Sequence, residues 1–303
     1  MKPLIRLPIV SALTLCAALW AMSGAVHAQI FVTSVGSGAY TGTIGEYNLD
    51  GSTINASLVS GLAGPYGLAE SGGDLYVANL GDSTIDEYTT AGAPVNAPYF
   101  GLGPNNPTAD IAVSGGDVFV SSLHSPRFAG IISVNGAYNA PLVSELTLPY
   151  GFAVSGGHIF VANYGQNGWI GEYTTSGATV NATLISGLNG AWGIAVSGED
   201  LFVADEGNGT IYKYTTSGAF VGVVASGLSA PTYLTVAGGD LYVVNDGSDT
   251  VGEYGLDGTV INASLISGLD TPYGIAVVVP EPSTLALAGF GGLSLLWFLR
   301  RRK

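Results

Sequence analysis

The sequence predicts an all-β protein: a six-bladed β-propeller of four-stranded blades, closed by three N-terminal strands plus one C-terminal strand. Three observations carry that expectation. Strand-like phrases recur along the chain, turn residues separate them, and the two ends of the array are out of phase with each other.

The strand phrases come first. Asp74-Leu75-Tyr76-Val77-Ala78-Asn79 returns at 117–122, 158–163, 200–205 and 240–245. Thr84-Ile85-Asp86-Glu87-Tyr88 returns near 43–47, 170–173, 210–214 and 250–254, with Tyr173, Tyr214 and Tyr254 spaced 41 and 40 residues apart. Pro65-Tyr66-Gly67 is echoed at Pro149-Tyr150-Gly151, Ala191-Trp192-Gly193 and Pro272-Tyr273-Gly274, and Ile54-Asn55-Ala56-Ser57-Leu58 at 180–184 and 261–265. Each unit thus holds four short runs rich in β-branched and aromatic residues, bounded by Gly, Asn and Asp turns. No window escapes turn residues long enough for an amphipathic helix, and parallel β-helix repeats are usually shorter than this period.

The ends fix the closure. The phrase containing Gly67-Leu68-Ala69 appears six times, the last at 274–278, where no copy of the Asp74–Asn79 strand follows. Ile30-Phe31-Val32-Thr33-Ser34 supplies it, so one blade combines three N-terminal strands with one C-terminal inner strand. Such a ring leaves no open ends to the array.

The stretch Leu201-Phe202-Val203-Ala204-Asp205-Glu206-Gly207-Asn208-Gly209-Thr210-Ile211 resembles the NHL-type propeller repeat, in diluted form across about 28–280. The resemblance implies the fold. Here the acidic position of the repeat reads Asn79, Ser122, Asn163, Asp205 and Asn245, and the basic position that serves RNA-binding members is absent.

Two terminal segments lie outside this array. Residues 1–28 read as a signal peptide: Lys2 and Arg6, an apolar stretch holding Cys16, then Val26-His27-Ala28. Residues 281–303 continue from Val279-Pro280 into an apolar run, 285–299, and Arg300-Arg301-Arg302-Lys303, a pattern of a membrane segment with its basic end on the cytoplasmic side. Pro280-Glu281-Pro282, the apolar run and the arginine cluster resemble a PEP-CTERM sorting signal. That resemblance implies processing by an exosortase, transient insertion of the tail in the inner membrane, and delivery of the chain outside the cell or to its outer surface in an exopolysaccharide-producing host.

Residues 29–280 keep 21 of the 22 carboxylates and two of the eight basic side chains, Arg127 and Lys213, a formal net charge of −19. Such a surface repels nucleic acid and anionic lipid, whose binding requires basic side chains against phosphate. No cysteine remains after residue 16, so disulfides and thiol chemistry contribute nothing to the propeller.

Several recurrent residues invite two readings. Tyr47, Tyr88, Tyr173, Tyr214 and Tyr254 pack between blades or form an aromatic ligand ladder. Asn79, Asn163, Asp205 and Asn245 cap turns or contact a metal or ligand. Asn55, Asn181, Asn208 and Asn262 begin N-x-S/T sequons, three at one repeat phase, which points to a repeat consensus. Asp205, Glu206, Asp246 and Asp249 offer clustered oxygens for Ca2+, without the spacing of an EF-hand. His124, Arg127 and Phe128 occupy a loop that departs from the repeat and are candidates for a specific contact, as drift is the alternative. The mature chain has two histidines, His124 and His158, at different repeat phases, and no nucleophile elbow, paired-His motif or phosphate loop. The expected function is an exported non-catalytic scaffold or binding module engaging polysaccharide or a surface protein. The alternative is a metal-dependent propeller lyase or hydrolase acting on an extracellular substrate.

Overall fold

A computed structural model describes residues 28–103, 106–123, 128–133, 138–143 and 146–279. Gln29–Val279 form one compact unit. The signal peptide over 1–27, Pro280-Glu281-Pro282 and the rest of the tail, and His124 and Arg127 lie outside the described residues; Phe128 opens a strand. Among the described residues no helix is long and apolar enough to cross a membrane.

The described strands form antiparallel four-stranded sheets. The first holds β1 (Gln29–Ser34), β2 (Gly42–Asn48), β3 (Thr53–Leu62) and, from the far end of the chain, β24 (Pro272–Val278), in the order β24-β1-β2-β3. β24 pairs with β1 from Gln29↔Val278 to Ser34↔Pro272. The next sheet runs β4 (Pro65–Ser71), β5 (Asp74–Asn79), β6 (Thr84–Thr89) and β7 (Pro94–Gly101). Then come β8 (Thr108–Ser114), β9 (Asp117–Ser122), β10 (Phe128–Ser133) and β11 (Tyr138–Val143), followed by β12 (Pro149–Ser155), β13 (His158–Asn163), β14 (Gly168–Thr174) and β15 (Thr179–Leu188). The last two are β16 (Ala191–Ser197), β17 (Asp200–Asp205), β18 (Thr210–Thr215), β19 (Phe220–Ser226), and β20 (Pro231–Ala237), β21 (Asp240–Asn245), β22 (Thr250–Gly255), β23 (Val260–Ser267). The inner strands touch in the order β24, β4, β8, β12, β16, β20 and back to β24, which makes a ring.

The expectation of a six-bladed propeller of four-stranded blades is corrected to five regular blades, the sheet β8–β11 being the exception. Five sheets are regular four-stranded blades. In the sheet β8–β11, β10 and β11 match at three residue pairs, and the register shifts between each. The residues explain it: β10 lacks the Glu and Tyr of the third-strand phrase, and β11 carries Pro141, which has no N–H to give a ladder.

Burial falls from the second strand of each blade to the outermost. The second strand of each blade is sealed on both faces; Phe31, Leu75, Ile159, Leu201 and Leu241 are all inaccessible to solvent. The apolar clusters form between neighbouring blades, as where Phe31, Ile44 and Ala276 meet Leu68, Leu75 and Tyr88. Tyr47, Tyr88, Tyr173 and Tyr254 are buried in these seams. The outer strands are exposed, and there the recurrent asparagines have a local job: Asn55, Asn181 and Asn262 each accept the N–H two residues on, at 3.1 Å. Their side chains bend the outer strand where its register shifts against Glu46, Glu172 and Glu253.

One position on the second and third strands is satisfied in several ways around the ring. Gln29 donates to Glu46. The Tyr76 hydroxyl donates to Glu87 at 2.8 Å. Phe160 has no hydroxyl for Glu172, and His158 Nδ1 stands 2.8 Å from that carboxylate instead. In the next blade the charge is reversed, and Lys213 pairs with Asp200 at 2.8 Å over the ring of Phe202.

Candidate binding site at the channel mouth

The inner strands all begin on one face of the ring. Each second strand ends there too, because Pro65 pairs with Asn79, Pro149 with Asn163, Ala191 with Asp205 and Pro231 with Asn245. This face therefore gathers the first residues of the inner strands and the loops after the second strands.

The Pro-Tyr-Gly phrase explains how close the inner strands come. A Cβ on Gly151 would stand 2.2 Å from the carbonyl oxygen of Trp192, on Gly193 2.4 Å from that of Thr232, and on Gly274 2.2 Å from that of Tyr66. Glycine is required at these close approaches. In two blades another residue takes its place: Asp110 in β8 and Tyr233 in β20, on opposite sides of the ring. Tyr233 reaches across the axis, and its hydroxyl lies 2.7 Å from the Ala109 carbonyl and 3.2 Å from that of Tyr150. Asp110 accepts the N–H of Ile111 at 2.8 Å and, from the adjacent blade, that of Phe152 at 2.9 Å. Burial pushes its carboxyl up to about 7. Below these two residues the channel opens as a cavity of about 280 Å³ lined by the inner strands, with Glu70 and Thr235 among its polar walls.

The residue before each glycine points to the mouth. Tyr66 stacks on Tyr273 with centroids 4.0 Å apart, Tyr150 on Trp192 at 4.2 Å, and Trp192 lies 6.1 Å from Tyr273. Tyr164 meets Tyr150 and Trp192 edge-on at 5.3 and 5.2 Å. All five rings are half-buried. Stacked rings from four blades thus pave one mouth of the channel.

The loops around this pavement differ across the ring. The residue following the second strand is Val35, Leu80 and Leu123 on one side, and Tyr164, Glu206 and Asp246 on the other. Tyr164 donates its hydroxyl to Glu206 Oε2 at 3.1 Å. Asp246 lies beside Tyr273, and its carboxyl is raised by burial and by the neighbouring charges of Asp249 and Glu206. Asp249 accepts the N–H of Thr271 at 3.1 Å.

The four acidic candidates therefore play different parts. Asp205 is buried and committed to the backbone: it accepts from Asn189 N at 3.1 and 3.2 Å and from Asn208 N and Nδ2 at 3.4 and 3.0 Å. Glu206, Asp246 and Asp249 stand at the acidic rim. Among the described residues no group of three or more His, Cys, Asp and Glu side chains could hold a metal ion. Asn163 acts like Asp205, accepting Thr147 N at 3.0 Å, while Asn79 bonds Asp86 at 2.9 Å. The aromatic rings were legible only as a repeat phrase; their meeting depends on ring closure.

Residues 278–303 match the PEP-CTERM protein-sorting motif, which marks the chain as exported and sorted to the cell surface by an exosortase. No curated protein matches the sequence. Among solved structures, a chain of the nidogen/laminin complex is similar at TM-score 0.69 and 16% identity, over 83% of this chain and 98% of that one. A protein of unknown function from Bacteroides caccae is similar at TM-score 0.65 and 13% identity, over 84% and 100%. Streptogramin B lyase is similar at TM-score 0.52 and 16% identity, over 84% and 74%. At these identities the likeness is one of fold.

Proposed function

We propose that residues 29–279 are a non-catalytic binding module of the cell surface, and that extracellular polysaccharide binds at the aromatic mouth of the channel. The observation that supports this reading is the pavement of Tyr66, Tyr150, Trp192 and Tyr273, partly open and backed by the closed axis. Aromatic side chains offer large apolar area at little conformational cost, and the C–H groups of a sugar pack against the parts of the stacked rings left open. Carboxylates beside the rings accept sugar hydroxyls, and the Tyr164 hydroxyl holds one of them, Glu206, in place.

Titration of the 29–279 protein with polysaccharides prepared from the producing cells tests the reading. Binding should be weakened at least about tenfold by Trp192→Ala, the loss of one central stacking partner. Undiminished binding by that variant, or shortening of the polymer by the wild type, would overturn it; the second result favours the metal-dependent enzyme.

A further inference from the structure

We propose that the axial cavity below Tyr233 is a second site, separate from the aromatic mouth, and that it takes one neutral monosaccharide unit from the far face of the ring. Two departures from the repeat carry this, together with the way the cavity is walled.

The inner strands share one pattern as they run from the mouth to the far face. Their fifth residue is Ala69, Ala112, Ala153, Ala195 and Ala276, but Thr235 in β20. Their sixth is Val113, Val154, Val196, Val236 and Val277, but Glu70 in β4. All of these residues line the cavity of about 280 Å³. Drift at a packing position exchanges one apolar residue for another. Here both departures are polar, and both meet the same cavity. Because β20 and β4 flank β24 in the ring, the hydroxyl and the carboxylate stand on one side, with Val154 across from them. Glu70 Oε1 accepts the N–H of Gly73 at 2.9 Å, which holds the carboxylate in place.

Backbone supplies the rest of the wall. Each inner strand has a paired strand on one side only, so its other edge turns N–H and C=O groups toward the axis. Tyr233 and Asp110 close the cavity at the mouth end. Glu70 and the five valines at the other end are half-buried, so solvent reaches it there. A ligand in this well meets donors and acceptors around its edge, one carboxylate, one hydroxyl and an apolar patch. A sugar ring, with hydroxyls on its rim and C–H groups on its face, matches that wall, and a carboxylate accepting its hydroxyls makes the strongest of these bonds. Pockets for small ligands span roughly 300–1,000 Å³, and this one is at the lower end, which limits it to a single unit.

NMR titration of the 29–279 protein with D-glucose, D-galactose, D-mannose and L-rhamnose, which differ in the placing of their hydroxyls, tests the proposal. At least one should bind saturably and shift the amide signals of Ala69, Thr235 and Ala276. Glu70→Val and Thr235→Ala install the residues that the other inner strands carry, and melting curves check that the fold is kept. The first should weaken binding at least about tenfold, the loss of a hydrogen bond to a charged group, and the second about threefold. Trp192→Ala, on the other side of Tyr233, should bind the sugar as the wild type does. Binding of none of the four sugars overturns the proposal, as does an affinity unchanged in both Glu70→Val and Thr235→Ala. Binding lost in Trp192→Ala but kept in Glu70→Val would place the sugar at the mouth, overturning the second site and leaving the first standing.

Discussion

Tyr233 crosses the axis of the ring to place its hydroxyl 2.7 Å from the carbonyl of Ala109, joining β20 to β8 on the opposite side. The side chain stands where four other inner strands carry glycine, and it separates the aromatic mouth from the cavity beneath. Tyr233→Phe removes this bond and leaves a buried carbonyl short of a donor. A loss of about 1–3 kcal/mol is expected, read as a lower urea midpoint with an unchanged slope. An unchanged midpoint would show that the cross-axis bond contributes nothing.

Asp110 gives the propeller a pH dependence of known sign. Burial raises its carboxyl to about 7 from 3.8, so the folded protein holds a proton that the unfolded chain has released. The native state binds more protons in that window, and stability falls as pH rises from about 4 to about 7, by at most about 4 kcal/mol from this group. Asp110→Asn should be less stable near pH 4.5, because its amide opposes the Phe152 N–H, and should have a flatter profile. Urea midpoints at pH 4.5, 6 and 7.5 that fall as steeply in the variant would contradict this.

The close approach of inner strands makes glycine indispensable at the mouth. Gly274→Ala places a Cβ 2.2 Å from the Tyr66 carbonyl, and the two strands must separate. Overpacking of this kind costs about 1–3 kcal/mol or more. It should also disturb the Tyr66–Tyr273 stack. Gly61→Ala meets no atom within 4 Å but has φ +82°, so it reports the backbone strain alone and should cost less.

Ring closure through β24 and β1 predicts that the N-terminal strands are essential. A fragment starting at residue 61 lacks β1, β2 and nearly all of β3, and leaves β24 with an unpaired edge. It should aggregate or melt well below the 29–279 protein. Equal melting temperatures would contradict the closure.

The charge of the propeller yields a salt prediction. Some nineteen uncompensated negative charges on residues 29–280 repel one another more in the folded protein than in the expanded chain, and screening relieves that. The melting temperature should be higher in about 0.5 M NaCl than at about 10 mM. CaCl2 at matched ionic strength should add nothing further, since Asp205 is committed to Asn189 and Asn208. A calcium-specific rise abolished by Asp246→Asn/Asp249→Asn would instead establish a cation site at the last loop.

The strands were legible because each phrase carries its own period and its own turn. The shared sheet of β24 and β1 was legible because the array ends out of phase. The sequence reading marked the loop at His124, Arg127 and Phe128 as irregular but still counted six blades; the absence of the Glu-Tyr phrase from β10 and Pro141 in β11, which set the sheet β8–β11 apart from the five regular blades, went unread. The mouth was not legible. Tyr66 and Tyr273 lie far apart in the chain and stack only when the ring closes, and the phrase that contains them reads equally well as packing. Tyr233 was a missed signal: a large side chain at a position where the repeat asks for glycine marks a residue that must go somewhere, and the axis is the one open direction. His158 likewise departs from the aspartate of its repeat because Phe160 leaves Glu172 without a hydroxyl partner.

Trp192 offers the most direct test that ligand meets the mouth. Residues 29–279 contain two tryptophans, Trp169 and Trp192, so Trp169→Phe leaves the mouth as the only indole reporter. Calorimetric titration of that variant with polysaccharide prepared from the producing cells should be accompanied by a saturable change in Trp192 emission at the same affinity. Calorimetric binding with no change in that emission would place the ligand elsewhere and contradict the account.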